Sequence, residues 1–182
     1  MDAATRKAKL EEIKTSQLNQ AMTGIPLRYK GTTRTEIVWR IPLDYLIYNK
    51  YNGRIGSDVL SYEKQNGELN AELDSDREII ETFLYESKVD RNKTTMESLL
   101  KIGQQRYGIV TSDGIIVDGN RRAMLLNRLF HKHEEYGYSY AEVEKCQYFL
   151  AIILPDDAEE KDIQQLETIY QMGEMISWII IR

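Results

Sequence analysis

A single cysteine, Cys146, leaves no partner for an internal disulfide, and such sparing use points to a reducing compartment such as the cytoplasm. There are two histidines, His131 and His133, and residues two apart do not share a helix face. With no cysteine near them in sequence, they do not make a metal pair. No apolar run approaches the ~20 residues that a membrane span needs. The opening stretch, MDAATRKAKLEEIK, is charged and lacks the apolar segment of a secretory signal. An excess of positive charge is also missing. The net charge is -5 and the pI about 5.2, which argues against generic coating of nucleic acid.

What is there suits one substantial core. The chain has 182 residues, of which 42% are hydrophobic and 29% charged. Charge is unevenly spread: residues 1–40 hold eight Lys/Arg against four Asp/Glu (+4), and the rest holds 16 against 25 (-9). Residues 1–35 therefore read as a basic arm, helical over 5–21 through Leu10, Ile13, Leu18 and Ala21. Residues 23–35, with Gly24, Pro26 and Gly31, read as a connector. The arm either packs on the domain, touches DNA, or meets a second copy in a homodimer.

Residues 36–175 form the expected domain. Ile37, Trp39 and Ile41 alternate as in a strand. Residues 48–74 are polar and glycine-punctuated, the signature of a long functional loop. Ser75-Asp76-Arg77-Glu78 resembles a capping box for a helix through Ile79, Ile80, Phe83 and Leu84. A second start at Thr95 leads a short helix closed by Gly103. QYFLAIIL, residues 147–154, reads as a buried strand. Pro155-Asp156-Asp157 then opens a last helix, on which Glu167 and Gln171, four apart, share a face. Residues 176–182 are an apolar end, either a strand completed by another copy or the point where a longer protein is interrupted. No DNA-reading module follows it.

The stretch with the clearest chemistry is YGIVTSDGIIVDGNRRAMLLNRLF, residues 107–130. Two β-branched runs flank Ser112-Asp113-Gly114, a strong hairpin signal. The second run ends at Asp118-Gly119-Asn120, and a helix with Met124, Leu125, Leu126, Leu129 and Phe130 on its core stripe begins at once. Asn120 has the residue type of an N-cap. A helix N-terminus carries about half a positive charge and unpaired N–H groups, hence attracts anions. Gly119 would let a ligand approach the backbone. Arg121 and Arg122 oppose the helix dipole at a cost of roughly 0.3–1 kcal/mol each. That cost makes sense if their guanidinium forks hold phosphate. The alternative is that they pair with carboxylates such as Asp118.

The strand, the DGNRR box and the helix after it resemble the nucleotide-binding core of the ParB/sulfiredoxin superfamily. Ile41-Pro42-Leu43-Asp44 through Asn49 and Asn52-Gly53-Arg54 is similar to that family's opening box, and Leu166 to Gln171 to its late polar helix. The resemblance spans roughly residues 37–173. It implies a mixed α/β (α+β) fold with a small sheet flanked by helices. Arg54, Gln105 and Arg106 would approach the nucleotide with Gly119, Asn120, Arg121 and Arg122. Glu167 and Gln171 would supply polar contacts to phosphate, metal or base. Asn120 stands where a sulfiredoxin has its nucleophilic cysteine, so sulfinic-acid reduction is not implied. The expected function is nucleoside triphosphate binding with hydrolysis, Glu167 and Asp118 placing Mg²⁺ or water. The alternatives are a metal-dependent DNA-nicking nuclease using Asp44, Asp113 and Asp118, and a non-catalytic adaptor.

Overall fold

The computed structural model describes the backbone of residues 1–180 and the side chains of residues 1–173. Helix α1 (Ala3–Ile13) precedes a hairpin of β1 (Gln20–Tyr29) and β2 (Thr32–Pro42). Helices α2 (Gly56–Asn66), α3 (Asp74–Glu86) and α4 (Val89–Ile102) follow. A second hairpin, β3 (Gly108–Val110) and β4 (Ile116–Asp118), runs straight into α5 (Asn120–His131). Short α6 (Tyr140–Val143), β5 (Tyr148–Ile153) and long α7 (Glu160–Ile180) complete the order. The mixed α/β (α+β) class expected from the sequence is what the chain adopts.

The sheet order is β1-β2-β5-β3-β4, with β3 and β5 parallel and the other neighbours antiparallel. Strand alternation decides what each face covers. Trp39, Ile41, Val110, Ile116, Phe149, Ala151 and Ile153 point to one core, shared with residues of α1 through α5. Their neighbours Val38, Ile109, Val117 and Ile152 point to the other, closed by Leu166, Ile163 and Tyr170 of α7. The sheet is thus covered on both faces, which is why its central strands are apolar throughout.

Several local expectations are corrected. Residues 20–35 are not helix end and connector but β1, its turn and the start of β2. Pro26 is tolerated because β1 is an edge strand, where a missing N–H costs no ladder bond. Gly24, at φ +70°, sits where the β1–β2 register shifts between Met22 and Ile25. Lys30 and Gly31 both have positive φ, as a two-residue turn of this hand demands. The arm packs on its own domain: Leu10 and Ile13 lie in the main core.

The polar stretch 48–74 contains α2, anchored by buried Val59. Ser75 does not cap α3; the helix starts at Asp74, and the Asp76 carboxylate accepts from the N–H of Asn70 instead. Helix α4 begins at Val89 rather than Thr95. Helix α7 runs on through Ile180, so the apolar end from residue 176 to that point is helical and not a strand. Its side chains, and residues 181–182, lie outside the described residues.

Candidate functional site

Strand β4 delivers Asp118 to the sheet edge, and the chain turns into α5 through Gly119 at φ +110°. A Cβ there would sit 2.6 Å from the Phe149 ring, so glycine is required by conformation and by packing on β5. Close approach of a ligand is not needed to explain it. Gly119, not Asn120, is the N-cap, and as a glycine it offers no capping side chain of its own.

Asn120 is turned to another use. Its side-chain amide donates to the Asn49 carbonyl at 2.8 Å and accepts the Asn49 N–H at 3.1 Å. The Asn49 amide in turn donates to Glu167 at 2.7 Å. Asn52 donates to the Val117 carbonyl at 3.2 Å and accepts from Gln171 at 3.0 Å. Two asparagines of the loop after β2 thereby tie the β4–α5 junction to α7.

A cavity of about 190 Å³ opens at this junction, lined by four arginines, Arg54, Arg106, Arg121 and Arg122, with Asp118, Gly119, Asn120 and Gln171 among the other walls. Residues separated by more than a hundred positions in sequence are thus gathered on one space. Arg121 donates to Asn92 Oδ1 at 2.9 Å and to Thr95 Oγ1 at 3.5 Å. Arg122 lies 3.2 Å from Asp118 Oδ2 and also donates to the carbonyls of Arg106 and Tyr107. The Asp118 pairing, held open as the alternative for these arginines, is therefore present. It coexists with the position of Arg122 on the cavity wall. Arg106 donates to the Tyr170 carbonyl at 3.2 Å, which brings α7 over the same opening.

Two expected residues stand apart. Gln105 is not on the cavity wall; its amide donates to the Ile102 carbonyl at the end of α4. Its neighbour Gln104 instead pairs with both backbone groups of Leu150 and fastens the approach to β3 onto β5. Glu167 is held beside the cavity by Asn49 and does not line it. Burial pushes its carboxyl above the ordinary value of 4.5, against the opposing hydrogen bond from Asn49.

Sequence reasoning missed Asn92 and Thr95, the α4 partners of Arg121. Asn92 is 1% exposed inside a helix and also donates to the Tyr85 carbonyl at 2.7 Å. A polar residue at a core position of the helical stripe was the available signal.

Among the described residues, no group of three or more His, Cys, Asp or Glu side chains converges on a point. The acids named for a nuclease are scattered. Asp113 lies in the β3–β4 turn, bonded to Thr111, and Asp44 lies in the adjoining 3-10 turn beside Gly114. Asp118 is at the far end of β4. The cations of the arm are engaged locally as well: Lys7 with Asp156, Lys14 with Glu11, and Lys9 over the Tyr45 ring.

No family model, curated protein or solved structure matches the chain. The class of the fold and the composition of the cavity are therefore what a functional reading has to stand on.

Proposed function

We propose that the chain is a phosphate-binding domain of ParB/sulfiredoxin type that takes a nucleoside triphosphate by its phosphates. The observation that carries this reading is the convergence of Arg54, Arg106, Arg121 and Arg122 on one cavity at the N-terminus of α5. The space is below the roughly 300–1,000 Å³ of pockets that enclose a whole small molecule. It suits the charged end of a nucleotide, with sugar and base toward the opening beside α7. Arg122 exchanges part of its contact with Asp118 for a phosphate oxygen. Mg²⁺ bound by one or two carboxylates plus phosphate oxygens fits Asp118, the carboxylate on the cavity wall.

The test is calorimetric titration with ATP, GTP and CTP, each with and without Mg²⁺, against the wild type and the Arg121→Gln and Arg122→Gln variants. Binding of one nucleotide that weakens by about 10–100-fold in each folded variant is the expected result, the range for a charge-assisted contact. Absence of binding by all three, or binding that both variants retain, overturns the proposal.

A further inference from the structure

Helix α4 has a second face with a cavity of its own. Asn92 and Thr95 look toward Arg121, whereas Val89, Lys93 and Met96 line a separate space of about 280 Å³ with Tyr85, Tyr136 and Tyr138. The two cavities share no lining residue. Three phenol rings form the walls, and Met96, 4% exposed, forms part of the floor. Tyr136 and Tyr138 are brought there by Gly137, whose φ of +79° turns the chain between them. Lys93 is the one formal charge on the wall, and among the described residues it makes no ion pair. The Arg128 guanidinium lies 4.1 Å from the Tyr85 ring centroid and adds positive potential next to the cavity. The phenol hydroxyls of these three tyrosines have no hydrogen-bond partner among the described residues.

We propose that this cavity binds a small aromatic carboxylate. The ring goes against the three tyrosines and Met96, where aromatic and sulfur–aromatic contacts are available. The carboxylate goes to the Lys93 ammonium, with phenol hydroxyls as further donors. The chemistry differs from that of the arginine cavity. One compact ammonium among apolar walls suits a singly charged amphipathic acid, whereas guanidinium forks suit a multiply charged phosphate. The volume is close to the lower limit of about 300 Å³ for small-molecule sites, so a single ring with a short acid chain is the right size.

The experiment uses the full chain with methyl-¹³C methionine, titrated with phenylacetate and with its uncharged counterpart phenylacetamide. Phenylacetate saturates the shift of the Met96 methyl with a Kd on the order of 1 mM, as expected for so few atoms. Phenylacetamide binds about tenfold more weakly, which corresponds to the loss of one charged contact. Lys93→Gln, a change at an exposed position, brings phenylacetate down to the level of the amide, and Arg121→Gln changes nothing. Three results overturn the proposal: no saturable Met96 shift with either compound, equal affinity for acid and amide, or binding lost in Arg121→Gln and kept in Lys93→Gln.

Discussion

Glu167 and Asn120 show how much of this protein turns on single polar groups. The folded chain holds the Glu167 proton more tightly than the unfolded chain does, because burial raises its pKa. Its contribution to stability is therefore fully present below the unfolded value of 4.5 and is lost as pH rises through the folded value. Glu167→Gln keeps an acceptor for Asn49 and removes the titration. The variant is expected to be more stable than wild type at neutral pH, with the difference vanishing below about pH 4, as measured by urea unfolding across that range. Asn120→Ala acts in the opposite direction. It strands the N–H and carbonyl of Asn49 in a half-buried place and should cost about 2–4 kcal/mol, two unmade hydrogen bonds of ordinary penalty. An unfolding midpoint unchanged from wild type would show that water replaces the amide. Asn120 had the residue type of an N-cap, and only the arrival of the loop after β2 beside it reassigns its side chain to Asn49.

At the scale of elements, α1 is the informative case. Its sequence carries little amphipathic pattern, yet Leu10 and Ile13 are buried and Arg6 is 2% exposed. The Arg6 guanidinium donates to the Asp113 carbonyl at 2.8 Å, to the Met1 carbonyl at 2.7 Å and to Glu72 at 2.8 Å. One side chain therefore ties α1 to the β3–β4 turn and to the segment before α3. Arg6→Ala should destabilise the domain by about 2–3 kcal/mol, below the 3–5 of a fully buried pair. The reason is that Glu72, with a side chain 40% exposed, can return to water. Differential scanning calorimetry of the two proteins checks this. The central hairpin and α5 were legible because Asp-Gly between β-branched runs and a 3.6-residue apolar stripe are local signals. The β1–β2 hairpin was not, because its turn is Lys30-Gly31 and its Pro26 is acceptable only on an edge that the tertiary arrangement defines.

For the whole molecule, Cys146 is a ready reporter. It lies in the 3-10 turn just before β5, packed against α5 and 1% exposed, and burial pushes its thiol up to about 11 against the opposing charge of Lys145. The thiolate is the reactive form, so the native chain should resist a disulfide reagent at pH 8 and react only by opening. The expected outcome is a labelling rate that rises with urea in step with unfolding. Rapid labelling without denaturant would mean that the β5–α5 region opens locally. Cooperative behaviour of this kind follows from the sheet order: β5 sits in the middle, between β2 and β3, so it cannot leave without dissolving both cores.

Residue order by itself determined the secondary structure of the Tyr107–Phe130 stretch and the apolar character of β5, since each depends on contacts within a few positions. It also singled out Arg121 and Arg122, whose place in a first helical turn is unfavourable to the helix alone. Only the tertiary structure decided that Arg54 and Arg106 join them, that Gln105 does not, and that Arg121 is steadied by Asn92 and Arg122 by Asp118. Those relations depend on distance in space between residues far apart in the chain. The parallel pairing of β3 with β5 and the lean of α7 over the β4–α5 junction create that nearness, and no local pattern encodes it.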